Sequence, residues 1–258
     1  MTMTTTTDTH TRACTTCGQF AAYEPIAVFG NDLRASLPFY CPACVVAMEE
    51  AEKEQARQRI RERRQRNWET TIPAKYRETD TAHAGFNRVL WEAVAHWPLE
   101  KSLALIGPSG RCKTRVFALL ARRAIAADWF VGWCPANAFQ WAAQREFDKD
   151  DGPDARKWMS KWQTAKVLFL DDLGKHKWTD TVESAFFNLL EYRLSNKLPT
   201  HWSLNPDPAD IVTSQGLVLD TPGILKRALD PTGAASARAR FAPIVSRLTD
   251  ETEIIAVP

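Results

Sequence analysis

The stretch from Leu103 to Thr114, LALIGPSGRCKT, decides the fold. Its first four residues are apolar, which is typical of a buried strand. The glycines that follow, Gly107 and Gly110, permit a tight turn that a backbone carrying a Cβ resists. A long helical pattern then opens at Lys113. The order of strand, glycine-rich turn and helix predicts a phosphate-binding loop, because backbone N–H groups and a helix N-terminus attract an anion.

This loop is predicted to bind ATP with Mg²⁺. In the pattern G-x-x-x-x-G-K-[ST], the lysine reaches the β/γ-phosphates and the next hydroxyl holds Mg²⁺. Cys112 replaces the second glycine, and because cysteine is small we expect it to accept ordinary helix-entry dihedrals, with a weaker approach to the β-phosphate. The alternative is a glycine-rich turn that precedes a helix by chance. The residues expected to line the nucleotide are Gly107, Pro108, Ser109, Gly110, Arg111, Cys112, Lys113 and Thr114.

A second motif, VLFLDDLG, runs from Val167 to Gly174. Its apolar run predicts a buried parallel strand, and two carboxylates stand at the carboxyl end of that strand. We expect Asp171 to hold Mg²⁺ together with Thr114, and Asp172 to polarise the attacking water. The alternative is a strand that ends in a solvated acidic turn.

A third strand is predicted in LPTHWSLN, Leu198 to Asn205, and its carboxyl end should fall beside the other two. Asn205 could therefore contact the γ-phosphate or the water. A turn-forming asparagine before Pro206 is the alternative.

Four cysteines form two C-x-x-C pairs, Cys14/Cys17 and Cys41/Cys44. Two such pairs complete a tetrahedral shell for a structural zinc ion. A disulfide pair and an iron–sulfur or redox site are the alternatives, and metal is favoured because the N-terminus has no secretory signal. Between the pairs we predict a small hairpin that turns at residues 30–32, as in a zinc ribbon.

Residues 45–68 are predicted to be one helix, acidic first and basic later, in which six arginines crowd together: Arg57, Arg59, Arg61, Arg63, Arg64 and Arg66. They form either a surface for nucleic acid or an acidic partner, or a solvated linker helix whose charges suit its dipole. The segment 136–164 offers a similar choice, because it mixes tryptophans with lysines and arginines. It is either a path for single-stranded nucleic acid or a pair of amphipathic helices.

The whole chain of 258 residues carries a net charge of only +2, so no global field requires a nucleic-acid partner. It contains no apolar run long enough to span a membrane, and a cytoplasmic protein is expected. We predict a disordered lead over residues 1–12, a zinc module over 13–46, a charged linker helix over 47–70 and an α/β domain over 71–258.

The α/β part resembles the ATPase core of AAA+ proteins: a parallel sheet flanked by helices around a P-loop. It most resembles the helicase loaders of the DnaC/DnaI type, including phage versions, and their relative IstB. The resemblance covers residues 70–258 and rests on GPSGRCKT, VLFLDDLG, LPTHWSLN and APIVSRLTDETEIIAV. It implies that Asn205 is the first sensor. It implies that Arg247 acts across a subunit interface or as a second sensor, with Arg238 and Arg240 as further candidates.

That resemblance implies an ATPase that loads a replicative helicase onto single-stranded DNA during DNA replication, and that forms homo-oligomers when ATP is bound. The N-terminal zinc module is then expected to contact the helicase. An IstB-like transposition helper would instead bind duplex DNA. A zinc-dependent adaptor with a weak or inactive P-loop is the alternative from another functional class.

Overall fold

The structure is a computed structural model that describes residues 10–24, 27–28, 31–32, 37–174, 178–206, 212–213, 216–217, 224–225, 229 and 235–257. The chain divides into two compact units, residues 1–63 and 64–258. The boundary at residues 63 and 64 falls within the charged helix that the sequence predicts.

The first unit begins with a short hairpin. Strand β1 (His10–Ala13) pairs antiparallel with β2 (Phe20–Tyr23), and the first cysteine pair lies in the turn between them. The strand thus starts inside the segment predicted as a disordered lead, of which residues 1–9 lie outside the described part. The predicted second hairpin consists of β3 (Ala27–Val28) and β4 (Asn31–Asp32), which is shorter than expected, and Gly30 of its predicted turn is not described.

A single helix, α1, runs from Pro42 to Thr71. Proline suits the first turn of a helix because its missing N–H would have no partner there. The helix interior contains no glycine or proline, and Pro73 follows its end, as expected for a residue that disfavours helix just before it. At 1.5 Å per residue the helix is about 45 Å long.

The second unit is built on five parallel strands, which confirms the predicted sheet. Their spatial order is β11, β5, β8, β7, β6, so β6 is an edge strand. The strands are β5 (Ser102–Ile106), β6 (Val131–Pro135), β7 (Val167–Leu173), β8 (Thr200–Leu204) and β11 (Thr252–Ala256). A two-stranded ribbon of β9 (Val212–Thr213) and β10 (Gly216–Leu217) is separate from the sheet.

Helices cover both faces of this sheet. They are α2 (Ala74–Arg77), α3 (Arg88–Val94), α4 (Lys113–Ala126), α5 (Ala136–Arg145), α6 (Gly152–Thr164), α7 (Asp180–Ser195) and α8 (Ala235–Thr249). None of the described helices is both long and apolar enough to cross a membrane.

The strands read as continuous apolar runs because both of their faces are buried. In β7, Val167 and Phe169 face a core that includes α3 and α4, whereas Leu168 and Leu170 face a core formed with α5, α6, α7 and α8. A parallel sheet of this kind brings the carboxyl ends of β5, β7 and β8 to one edge. The phosphate-binding loop, the acidic pair and Asn205 all follow strands at that edge.

Strand β8 is buried along its length, including its polar residues. His201 is fully buried against the rings of Phe117 and Phe169. Burial, with a smaller effect of the nearby Arg193 charge, lowers the pKa of His201 to about 3. The imidazole is therefore uncharged at neutral pH and packs as an aromatic ring.

Arg193, near the end of α7, is only 1% exposed and forms hydrogen bonds that connect α7 with the end of α6 and the start of β8. Its guanidinium donates to the carbonyls of Trp162, Ala165 and Pro199 at 2.8, 2.8 and 2.6 Å, and its Nε donates to the Thr200 hydroxyl at 2.8 Å. One guanidinium group thus donates hydrogen bonds both to the end of α6 and to the start of β8. The Pro199 carbonyl also accepts a hydrogen bond from the Leu168 backbone N–H at 3.1 Å.

We predict that Arg193→Met lowers the free energy of unfolding by about 3 kcal/mol or more, because several buried carbonyls lose their donor. Urea unfolding followed by tryptophan fluorescence measures this loss. Arg122→Met, on the exposed side of α4, is the matched control and should change stability by less than about 0.5 kcal/mol. Equal effects of the two substitutions would contradict the role given to Arg193.

Candidate nucleotide site and cysteine cluster

Two glycines shape the loop between β5 and α4. Gly110 has a φ of +83°, a left-handed conformation that side chains resist. Gly107 lies where the chain after β11 passes close by, and a Cβ there would stand 2.2 Å from the Val257 carbonyl oxygen. The loop can therefore take only glycine at position 107 without moving β11.

Cys112 does not adopt the helix-entry dihedrals that we expected from the sequence. Its φ of +64° and ψ of +13° are left-handed, which is the conformation that the glycine of the pattern supplies without cost. A residue with a Cβ pays roughly 1–2 kcal/mol for it. The Cys112 thiol lies 3.4 Å from the Gly85 carbonyl oxygen.

Lys113 is almost completely buried, with 5% of its surface exposed. Its Nζ donates to the carbonyl oxygens of Gly107 and Pro108, both at 2.7 Å. The ammonium group thus lies under the loop, at the point where the strand ends and the helix begins. It is placed to interact with an anion that the loop accepts.

The carboxylate of Asp171 joins the loop to two strands of the sheet. It accepts a hydrogen bond from the Thr114 hydroxyl at 3.1 Å and another from the Ser203 hydroxyl at 2.6 Å. The pairing of β7 with β8 shifts register between Leu170 and Leu173, so Asp171 lies in a bulge. Such bulges redirect side chains and are common next to functional sites. Hydroxyl and carboxylate oxygens are the ligands that Mg²⁺ prefers.

Asp172, the second residue of this bulge, has a φ of +60°, a conformation that aspartate tolerates better than most residues. Its N–H donates to the Ser203 hydroxyl at 2.9 Å, and its carboxylate accepts from the Asn205 amide at 2.5 Å. Ser203 is in β8, and Asn205 follows two residues later, just after the strand ends at Leu204. The Ser203 hydroxyl donates to the Asp171 carboxylate, and the Asn205 amide donates to the Asp172 carboxylate.

The sequence reasoning missed Ser203 and Tyr76. Ser203 lies two residues before Asn205, and this period of two was the signal that could have found it. Tyr76, in α2, is remote in sequence, but burial and the charges of Asp171 and Asp172 raise the pKa of its hydroxyl, while Arg115 and Thr114 lower it. The phenol is therefore close to the acidic pair, and nothing local in the sequence indicates this.

A cavity of about 390 Å³ opens on the other side of the loop. Its walls come from the segment before α3 and from the loop itself. The residues that line it are Glu78, Asp80, His83, Gly85, Phe86, Gly110, Cys112 and Arg115. It combines the phenyl ring of Phe86 and the imidazole of His83 with several polar groups.

Arg247 lies near the amino ends of the parallel strands, whereas the loop lies at their carboxyl ends. Arg247 lines a cavity of about 790 Å³ together with Ser102, Thr200 and Thr252, which are the first residues of their strands. Its guanidinium donates to Glu191 at 2.5 Å and lies 4.2 Å from the Phe187 ring. It is thus far from the phosphate-binding loop of its own chain. Arg238 and Arg240 are in α8, but their side chains lie outside the described part of the structure.

The first unit contains the cluster that the cysteine spacing predicts. The Sγ atoms of Cys14, Cys17, Cys41 and Cys44 all lie within 4.8 Å of one another. The backbone N–H groups of Cys17 and Cys41 lower the pKa of the Cys14 thiol to about 6, and the Cys41 N–H is 3.3 Å from that sulfur. These four thiols are free rather than disulfide-bonded, and their donor set and spacing fit a zinc module.

The arginines of α1 are partly used within the protein. In the first unit, Arg57 and Arg61 lie 3.4 and 3.6 Å from Glu54. In the second unit, Arg64 makes a bidentate pair with Asp128, both bonds at 3.0 Å. The pairs favour the structural interpretation for these three side chains and leave Arg59 and Arg66 as exposed charges.

The sequence matches no protein-family model and no curated protein. Its fold is similar to that of the replication initiator DnaA bound to AMPPCP and single-stranded DNA, with a TM-score of 0.50 and 16% identity over 72% of this chain and 50% of that one. DnaI has a TM-score of 0.49 and 20% identity over 70% of this chain and 89% of its own. The DnaC helicase loader has a TM-score of 0.48 and 17% identity over 75% of this chain and 99% of its own.

The likeness to DnaA shows that the second unit shares the fold of that protein, a parallel sheet flanked by helices, as the sequence predicts. This chain spans about half the length of the DnaA structures.

We predict that Cys112→Gly stabilises the protein by about 1 kcal/mol and tightens ATP binding, because glycine adopts the left-handed conformation without strain. Thermal unfolding and a calorimetric titration with ATP measure the two effects. Cys112→Ala keeps the Cβ and removes the thiol, so it should give neither gain. If alanine is as effective as glycine, the thiol rather than the backbone limits the site.

We also predict that the purified protein contains one zinc ion per chain, and that a chelator unfolds the first unit, because the module is too small to fold without its metal. Cys14→Ser should lower the zinc content, whereas Cys112→Ser should leave it unchanged. Metal analysis and circular dichroism measure these outcomes. A full zinc content in Cys14→Ser would exclude the cluster as the metal site.

Proposed function

We propose that this chain is an AAA+ ATPase that loads a replicative helicase onto single-stranded DNA. The ATPase part rests above all on one observation, the hydrogen-bonded connection from Thr114 through Asp171 and Ser203 to Asp172 and Asn205. It joins the phosphate-binding loop to the tips of two strands and presents only hard oxygen and amide groups. If the two aspartates only formed a solvated acidic turn, water would satisfy their carboxylates and this set of hydrogen bonds would not be required.

The residues of the site have separate tasks in this proposal. A bound Mg²⁺–ATP supplies the γ-phosphoryl group and the metal charge that polarises it. Lys113 stabilises negative charge on the phosphates, and Thr114 and Asp171 are the metal ligands. Asp172 accepts a proton from the attacking water or orients it, and Asn205 keeps this carboxylate in place. Ser203 fixes the position of Asp171 relative to Asp172.

The cavity beside the loop is proposed to accept the nucleoside end of ATP. It touches Gly110 and Cys112, so a ligand there would continue directly into the loop. Phe86 offers an aromatic face, and Glu78 and Asp80 can accept hydrogen bonds from ribose hydroxyls.

Arg247 is proposed to act on the nucleotide of a neighbouring copy. Its place at the amino edge of the strands supports this role over that of a second sensor for its own nucleotide. An arginine that reaches the transition state from another subunit increases the rate of hydrolysis by a large factor. Because Glu191 pairs with Arg247, this pair has to open when the neighbouring copy binds.

The partners are proposed from the resemblance of the motifs to the helicase loaders. The DnaA structure, which is similar in fold, contains AMPPCP and single-stranded DNA, and this supports the proposal of both kinds of ligand. We propose that the zinc module and the following helix contact the helicase, and that the protein acts in the cytoplasm as an ATP-dependent oligomer.

A second candidate function is that of a zinc-dependent adaptor that binds nucleotide and turns it over poorly. The left-handed Cys112 favours it, because strain at the loop opposes the close approach of the phosphate chain. An IstB-like helper, which would prefer duplex DNA, is distinguished by a competition between single-stranded and duplex DNA.

The deciding experiment is ATP turnover by purified protein with and without single-stranded DNA. We predict turnover that rises with DNA and falls at least about 100-fold in Lys113→Ala, since the charge that stabilises the transferred phosphate is lost. The matched control is Lys166→Ala, an exposed lysine just before β7, which should not affect turnover. ATP binding without turnover under all these conditions would support the adaptor instead.

Subunit mixing tests the role of Arg247. Lys113→Ala chains keep Arg247, and Arg247→Ala chains keep the loop, so a mixture should recover part of the activity that each variant alone has lost. A mixture that is as inactive as its components would place Arg247 outside the reaction.

A further inference from the structure

A cavity of about 320 Å³ with tryptophan walls lies beside the edge strand β6. Four indole rings line it, and the segment that follows α1 completes it. The main lining residues are Ile72, Pro73, Trp133, Trp141, Trp158 and Trp162. The volume is that of a site for one small planar group.

The four rings differ in exposure. Trp133 and Trp162 are 4% and 2% exposed and form the floor, which is fixed because the Trp162 Nε1 donates to the Trp133 carbonyl at 3.0 Å. Trp141 and Trp158 are 37% and 40% exposed and form the walls. Two large rings that remain open to solvent above a rigid floor present flat faces on which a planar ligand can stack.

Positive charge surrounds the cavity. The Lys161 Nζ lies 5.2 Å from the Trp158 ring, and the Arg145 guanidinium lies 5.8 Å from the Trp141 ring. Arg145 is paired with Asp151, whereas Lys161 and Lys157, one turn apart on α6, have no carboxylate partner within the described residues. Burial and the Lys157 charge lower the pKa of Lys161. An anion beside these two lysines would therefore be stabilised.

We propose that this cavity holds one unstacked base of a single-stranded nucleic acid, with the neighbouring phosphates against Lys157 and Lys161. The inference rests on the proposed function and names the residues for its DNA partner. Every base has a π-face, so stacking on indole is tolerant of sequence. Among the described residues, Lys161 donates only to the Thr71 hydroxyl, at 3.4 Å, so its charge is not neutralised. Open indoles beside such lysines favour a nucleic acid over an apolar peptide, which carries no negative charge for the lysines to bind.

The cavity is also close to the proposed nucleotide site. The Trp133 ring on the cavity floor lies 6.4 Å from the Tyr76 ring, and burial and the charges of Asp171 and Asp172 raise the pKa of the Tyr76 hydroxyl. One side chain therefore separates the cavity from the residues proposed to act on ATP.

The test is the affinity of the full-length protein for two fluorescent oligonucleotides of about twelve nucleotides, oligo-dT and an abasic strand of the same length. We expect Trp158→Ala to weaken oligo-dT binding about tenfold or more and to leave abasic binding unchanged, because only the stacked base is lost. Trp158→Phe, which keeps a ring, should lose less. Tyr192→Ala removes an aromatic ring of equal exposure on α7 and should change neither affinity.

The proposal is overturned if Trp158→Ala binds oligo-dT as tightly as the wild type, or if it weakens both strands equally. It is also overturned if the variant loses only its binding to a helicase, since the cavity would then serve a protein. These outcomes leave the proposed ATPase and loader intact. A wild-type protein that binds neither oligonucleotide would instead contradict the single-stranded DNA part of the proposed function together with this inference.

Discussion

The carboxylate of Asp171 is the point on which the site depends. It accepts hydrogen bonds from Thr114, which begins the helix after the loop, and from Ser203, near the end of a neighbouring strand. These bonds can form only if β5, β8 and β7 are adjacent in this order and end at the same height. The bulge at Asp171 and the left-handed Asp172 allow both carboxylates to reach their partners. The order of the strands and the local bulge are thus both required for the hydrogen bonds of the two carboxylates.

The arrangement divides the second unit into two edges with different roles. At the carboxyl edge of the strands lie the loop, the acidic pair and Tyr76, and the tryptophan cavity adjoins them through Trp133. At the amino edge lies Arg247, paired with Glu191. The proposed nucleotide site and the arginine proposed to act on another copy thus lie at opposite ends of the strands, an arrangement that agrees with the oligomer that we propose.

The sequence predicted the parts of this structure whose signals are local. The apolar runs predicted β5, β7 and β8, and the residues after them predicted which groups meet, because parallel strands end at one edge. The cysteine spacing likewise predicted the cluster. The sequence could not predict the backbone of Cys112, since its conformation is imposed by the path from the turn into α4 rather than by its own preference. The sequence also could not predict the roles of Tyr76 and Arg193, because their partners lie in distant segments of the chain. Tyrosine and arginine are, in addition, residue types that are common at protein surfaces.

The measurement that tests the central claim most directly is the affinity for ATP with and without Mg²⁺, in the wild type and in Ser203→Ala. If the held carboxylate of Asp171 is the metal ligand, Mg²⁺ should tighten binding to the wild type. Ser203→Ala should then lose most of that gain and keep the metal-independent affinity, since Lys113 and the loop are unchanged. An equal gain from Mg²⁺ in both proteins, or none in the wild type, would contradict the account.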